Sequence, residues 1–226
     1  MKIDNKILTG RTEEHIHWLI PQKLGVHHEV LSPLEKLKAA AAEEGFQLEV
    51  CSGFRSFDSQ LAIWNGKALG NRPIYDSQSQ VIDISELTPT EKVFSILRWS
   101  SLPGLSRHHW GTDLDIFDLK TLPENYKIQL IPSEFEGAGL FASMHDWLDN
   151  NLSRFGFFRP YATDLGGVSP ERWHVSYQPL SQTFWKALTL EELKSALYPI
   201  TFELKEEVEK RLPQIYEKFF QRISNQ

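Results

Sequence analysis

Cysteine is nearly absent from this chain: Cys51 stands alone among 226 residues. An intrachain disulfide is therefore impossible, and so is a zinc cluster built on several thiolates. Cys51 closes the strand-like run Leu48-Glu49-Val50, so a buried structural thiol is expected there. No apolar run approaches the roughly 18 residues that a membrane span needs, so none is expected. Met1 to Leu8 has no apolar segment and no small-residue cleavage site, so no export signal is read there. The expected compartment is the cytoplasm, with the periplasm or cell envelope as the alternative for a chain already trimmed of a leader. A basic stripe is missing too. The net charge is −6, and the chain carries no electrostatic footprint for a nucleic-acid partner. Internal repeats and low-complexity segments are also lacking.

What is present fits an ordinary globular domain. Hydrophobic residues make up 41% and charged residues 24%, and the length suffices for one full core. Ser32-Pro33-Leu34-Glu35, Thr88-Pro89-Thr90-Glu91 and Thr189-Leu190-Glu191-Glu192 each read as a capping box that opens a helix. The first helix should end at Gly45, the second near Trp99 and the third near Tyr198-Pro199. Residues 141–155 carry Met144, Trp147, Leu148 and Leu152 at helical spacing. Strands are expected over Phe46–Cys51, Leu114–Phe117 and Trp173–Tyr177. Helices of varied length between short strands point to an α+β fold, with a small antiparallel sheet flanked by helices. Residues 66–87, rich in Gly, Asn, Ser and Asp, read as a long surface excursion able to pass over a site. In the tail, Leu204, Val208, Leu212, Ile215 and Phe219 form a helical stripe that should pack on the core, with Pro213 splitting it into two helices. One domain is expected over 1–226, with a motif-bearing core of about 30–180 and a helical C-terminal extension over about 181–226.

Three short segments carry chemistry. Ser106-Arg107-His108-His109-Trp110-Gly111-Thr112-Asp113-Leu114-Asp115 sets a His and an Asp seven positions apart. Gly111 between them allows a sharp bend that returns Asp115 toward His108. Asp113 shares the strand face of Asp115 and is the competing ligand; His109 points away from His108 in an extended chain. Glu171-Arg172-Trp173-His174 adds a carboxylate three residues before a second His. Two His and one carboxylate form a three-ligand set that suits a catalytic Zn²⁺, leaving one position open. Glu171 is then free to move a proton, and Arg55 of Ser52-Gly53-Phe54-Arg55-Ser56 to neutralise an oxyanion. Ser56 should cap the helix that follows Arg55. His15, His17, His27, His28 and His145 have no such setting and read as bystanders.

Read in order, Ser-Gly-Phe-Arg-Ser-x-x-x-Gln, Ser-x-His-x-x-Gly-x-x-x-Asp and Glu-x-Trp-His resemble the zinc D-alanyl-D-alanine carboxypeptidase family. That family includes VanY-type enzymes, related L,D-carboxypeptidases and, more distantly, D-Ala-D-Ala dipeptidases. The motifs span Ser52 to Tyr177, and Phe155-Gly156-Phe157 adds to the likeness. The resemblance implies that His108, Asp115 and His174 bind Zn²⁺, that Glu171 is the general base, and that Arg55 steadies the scissile carbonyl oxygen. It implies that Ser106, Gln60, Ser52 and Trp173 touch the substrate, a peptidoglycan stem peptide or precursor losing its C-terminal D-amino acid. L,D-carboxypeptidase or endopeptidase action at the same site is the nearer alternative, and a non-catalytic cell-wall peptide-binding module the farther one. Two departures concern the groove: the family often has Ala at the position of Asp113, and commonly an Arg near Ser176.

Overall fold

The computed structural model describes residues 3–20, 23–76 and 79–224. Strands β1 (Ile16–Leu19) and β2 (Leu24–His27) form an antiparallel hairpin. The central sheet holds β3 (Leu48–Ser52), β4 (Asp113–Asp118), β5 (Phe157–Phe158) and β6 (His174–Tyr177), in the order β3-β4-β6-β5 with every pairing antiparallel. The helices are α1 (Asn5–Leu8), α2 (Leu31–Glu43), α3 (Phe57–Ala68), α4 (Pro89–Leu97), α5 (Pro132–Phe135), α6 (Ala142–Asn151), α7 (Gln178–Ala187), α8 (Leu190–Leu197) and α9 (Lys205–Tyr216). The fold is α+β with a helical C-terminus, as expected.

Side chains alternate across a strand, and that period places the site. On β4, Leu114 and Ile116 enter a core with Leu34 and Leu37 of α2, Met144 and Leu148 of α6, and Val175 of β6. Asp113 and Asp115 therefore share the opposite face. Asp115 lies directly across from His174, and Asp113 from Ser176. All six β4 residues are buried, so these carboxylates stand in a dry environment. Ser52 of β3 pairs with Asp115 from the other side.

A second core joins Trp64 of α3, Ile96 of α4 and Trp110 to Leu193, Leu197, Val208, Leu212 and Ile215 of the tail. The tail stripe thus packs on the core, but it does not divide at Pro213. That residue lies inside α9, and a π-helical turn, Glu217–Gln221, continues the helix. An internal proline costs about 3 kcal/mol. Burying Val208, Leu212 and Ile215 fully, at about 1.5–3 kcal/mol each, exceeds that cost.

Other expectations meet the structure unevenly. Thr88 forms the full capping box with Glu91, and α4 ends at Leu97, slightly short of Trp99. Thr189 caps α8 through the Glu192 amide at 3.2 Å. Ser32 caps nothing: α2 already begins at Leu31, after a 3₁₀ turn over His28–Val30, and its cap position is Val30. Val30 is fully buried, so core docking sets that helix start, and Pro33 falls within the first turn, where no amide is needed. Gly45 does end the helix, with φ +86°.

Cys51 is exposed, against the expectation of a buried thiol. The register of edge strand β3 shifts between Val50 and Ser52, and this bulge re-aims the side chain. The excursion over 66–87 begins inside α3 and includes buried Ile74; its residues 77 and 78 lie outside the described residues, as do Met1 and Lys2. Among the described residues, no helix is long and apolar enough to cross a membrane.

Candidate active site

Two glycines allow the backbone to close around the site. Gly111 has φ +65°, and a Cβ there would meet Ile16 Cδ1 at 2.5 Å and the His27 amide nitrogen at 2.8 Å. Its carbonyl accepts from the His27 amide at 2.8 Å. Gly53 lies so close to the Gly25 carbonyl that no Cβ fits. Together they dock the hairpin against the Arg55 loop and the His108 turn. Arg55 is then tied at both backbone ends: its amide donates to His108 O at 3.1 Å, and its carbonyl accepts from His109 Nδ1 at 2.6 Å. His109 Nε2 accepts the Gly104 amide at 2.9 Å, so that ring is fully used in holding the loop.

His108, Asp115 and His174 each offer a ligand atom, and those atoms all lie within 4.8 Å of one another. His108 Nδ1 donates to the Gly53 carbonyl at 2.9 Å, leaving Nε2 facing Asp115 Oδ2 at 3.5 Å. His174 Nε2 donates to Asp113 Oδ1 at 3.0 Å, leaving Nδ1 at 3.4 Å from both Asp115 Oδ1 and Glu171 Oε2. A carbonyl and an ionised carboxylate can only accept, so they fix which ring nitrogen keeps its proton. Asp115 Oδ1 is buried without a hydrogen bond. This donor set, with a spare carboxylate oxygen between two imidazole nitrogens, fits a Zn²⁺ ion.

The electrostatics agree. Burial lowers His108 to about 4, so its Nε2 lone pair is free at neutral pH. Burial would raise Asp115, but His108 and His174 beside it hold it at about 2, ionised. Burial also opposes a charged His174, yet its bond to Asp113 and the nearby carboxylates of Asp115 and Glu171 raise it well above the ordinary histidine value. A proton there sits among carboxylates, where a metal ion would take its place. Glu171 is raised by burial, partly offset by His174, which suits a group that must both take and return a proton.

Asp113, the competing ligand in the sequence, turns away from this cluster. Its Oδ1 accepts from Arg107 Nε at 2.7 Å, and its Oδ2 from Thr112 Oγ1 at 2.7 Å and Ser176 Oγ at 3.0 Å. Arg107 also donates to Ser176 Oγ at 2.8 Å. Both departures from the family pattern thus belong to one buried network behind His174.

A cavity of about 130 Å³ opens in front of the cluster. Arg55, Ser106, His108, Asp115, Glu171, Trp173 and His174 all line it. Ser52 and Gln60 do not line it. Gln60 is fully buried; its Oε1 accepts from Arg55 at 3.0 Å and its Nε2 donates to Ser101 O at 2.7 Å. Ser52 Oγ accepts from the other arm of Arg55 at 3.0 Å. Both hold Arg55 from behind, because β3 and the first turn of α3 bracket its guanidinium. Lys67, Tyr75, Trp99 and Tyr161 also line the cavity, and sequence reasoning missed all four. Only Lys67 left a signal: Gln60, Trp64 and Lys67 recur at the spacing of one helix face.

The VanY family model, described as D-alanyl-D-alanine carboxypeptidase, matches residues 23–180. Two uncharacterized proteins of Haemophilus influenzae are similar. One is 41% identical over 83 residues, covering 36% of this chain and 63% of that protein. The other is 34% identical over 105 residues, covering 45% and 72%. A D-alanyl-D-alanine carboxypeptidase of Enterococcus faecalis is 27% identical over 172 residues, covering 72% of this chain and 53% of that protein. The chain therefore spans only part of each relative's length. Among solved structures, VanYB in complex with D-alanine-D-alanine superposes with TM-score 0.53 at 24% identity, covering 80% of this chain and 87% of that one. A vancomycin-resistance D,D-pentapeptidase VanY in complex with Zn(II) gives TM-score 0.51 at 23% identity, covering 80% and 91%. These two likenesses are of fold. With more than half its length matched by the family model, the chain belongs to the VanY D-alanyl-D-alanine carboxypeptidase family.

Proposed function

We propose that this protein is a zinc peptidase that removes the C-terminal D-amino acid from a peptidoglycan stem peptide, with His108, Asp115 and His174 as the metal ligands. The observation that carries the reading is the joint placement of that ligand set, Glu171 and Arg55 around one cavity, in a chain of the VanY family. Zn²⁺ bound there would polarise the scissile carbonyl and bring the pKa of a water down to about 7. Glu171, 3.4 Å from His174 and among the described residues otherwise without a cation at hydrogen-bond distance, takes the proton of the attacking water and returns it to the leaving amine. Arg55, clamped by Ser52 and Gln60 along one edge, turns its remaining N–H groups to the developing oxyanion. Ser106 and Trp173 line the groove beside the peptide.

The D-alanyl-D-alanine carboxypeptidase description of the family, shared by the Enterococcus faecalis relative, supports D,D-carboxypeptidase action as the finer assignment. The test is mass analysis of the products from pentapeptide, tetrapeptide and crosslinked muropeptides, with and without a chelator. Release of one alanine from pentapeptide alone, lost with chelator and restored by zinc, is the expected result. Release from tetrapeptide would replace the reading with L,D-carboxypeptidase action, and cleavage of crosslinks with endopeptidase action. Binding without any product would leave a peptide-binding module.

A further inference from the structure

We propose that Lys67 anchors the terminal carboxylate of the substrate and so sets the preference for a free peptide end. This rests on the peptidase reading above, which left that task to Arg55, Gln60 and Ser106. Gln60 is spent on Arg55 and on the Ser101 carbonyl, outside the cavity. Lys67 lines the cavity from the last turn of α3, and no hydrogen bond or ion pair engages its ammonium among the described residues. Arg107, the other lining cation besides Arg55, is already neutralised by Asp113.

The placement separates Lys67 from Arg55. Arg55 donates to Ser52, which pairs with Asp115 across β3 and β4, and so stands at the metal side. Lys67 reaches the same cavity from the opposite end of α3, whose first turn follows Arg55. Tyr161 also lines the cavity, with its ring 5.0 Å from that of His174, and it is shared with a second cavity lined by Glu136, Arg159 and Arg172. In the proposed pose the peptide leaves past Tyr161 and its terminus meets Lys67. The wall at the Lys67 side is fixed: Tyr75 meets Trp99 edge-on at 6.5 Å, and Trp99 Nε1 donates to Asp76 O at 3.2 Å.

Charge demands an anion at that end. With His174 neutral as a metal ligand, the remaining acidic and basic side chains of the cavity are Arg55 and Lys67 against Asp115 and Glu171. A divalent ion on Asp115 leaves a surplus of positive charge, which a carboxylate relieves. Burial, with Arg72 and Arg55 nearby and only Glu171 opposing them, lowers Lys67 to about 8. An ammonium crowded in this way gains more from an anionic partner than an exposed one would.

The experiment compares Nα,Nε-diacetyl-L-Lys-D-Ala-D-Ala with its C-terminal carboxamide, by titration calorimetry on the metal-free protein and by steady-state hydrolysis on the zinc-loaded protein. Wild type should bind and cut the acid at least about tenfold better than the amide, the scale of one hydrogen bond to a charged group. Lys67→Met should abolish that preference through KM with little change in kcat, and Lys67→Arg should keep it. Equal acid preference in wild type and Lys67→Met overturns the proposal, and so does a wild type indifferent to amidation. A Lys67-dependent acid preference in binding without hydrolysis would sink the peptidase reading alone. Hydrolysis with an unaltered preference in Lys67→Met would sink the Lys67 assignment alone.

Discussion

Two polar regions flank His174, and they differ in one respect. Behind the ring, Asp113, Arg107, Thr112 and Ser176 bond one another: a carboxylate meets a guanidinium and hydroxyls fill its remaining lone pairs, and among their described buried polar atoms Arg107 Nη1 alone lacks a partner. In front, Asp115, Glu171, Arg55 and Lys67 share a cavity with more capacity than partners, and one Asp115 oxygen is buried without a bond. Asp113 and Asp115 stand two residues apart on the same strand face, so the strand does not explain their different settings. The neighbours do: Arg107 reaches Asp113, whereas two imidazole edges face Asp115. A nearly closed network orients and an open one receives, so changes in the two regions should separate into stability effects and function effects.

The largest contrast comes from removing each carboxylate. Asp115→Ala deletes one of the three proposed ligands, and zinc content and hydrolysis should both fall to background. Asp113→Ala leaves the ligand set whole but strands Arg107, so it should cost about 3–5 kcal/mol of stability. It also releases the partner of His174 Nε2, which should weaken zinc by about 10–100-fold while leaving it bound at saturating metal. Metal analysis and urea denaturation of both variants check this. Loss of zinc from Asp113→Ala alone would move the ligand assignment to Asp113.

Next in size is Glu171→Gln, which keeps the shape of the open region but cannot take a proton. Zinc should bind at full stoichiometry while kcat falls about 10²–10⁴-fold, the range for general acid–base catalysis. Near-normal turnover would remove Glu171 from the mechanism. Arg55→Lys should follow, lowering kcat more than it raises KM, because the clamp by Ser52 and Gln60 requires a planar fork that lysine lacks. A pure KM effect would make Arg55 a second anchor for the substrate carboxylate.

These regions were unequally legible in the sequence. Gly111, the His108–Asp115 spacing and the period-two pattern of β4 are local, so one short window was enough to read them. Thr88–Glu91 was readable for the same reason. Ser32 carried the same signature and failed, because buried Val30 fixes where that helix starts. Pro213 was misread because the core packing that keeps α9 continuous comes from α4, α7 and α8, far away in sequence. Cys51 needed knowledge of a bulge, which depends on the partner strand. Gln60 and Lys67 lie on one face of α3, and only the fold shows that one backs Arg55 while the other enters the cavity.

The smallest effect tests whether the region behind His174 is closed at its outer edge. Ser181 of α7 is fully buried, with its hydroxyl 2.9 Å from Ser176 Oγ. Ser176 has one proton, and the ionised Asp113 Oδ2 at 3.0 Å claims it, so Ser181 must be the donor in this pair. Ser176 Oγ also accepts from Arg107 at 2.8 Å, so losing Ser181 leaves it satisfied. Ser181→Ala should therefore cost only the net worth of one hydrogen bond, about 0.5–1.5 kcal/mol in urea denaturation, with zinc affinity unchanged in competition with a chelator. Ser176→Ala should cost more, because it leaves both an Arg107 N–H and an Asp113 lone pair short of a partner in a dry site, at about 1–3 kcal/mol for each group. If Ser181→Ala instead weakened zinc tenfold, the network would extend through α7 to the metal ligands, and the division between an orienting region and a receiving one would fail.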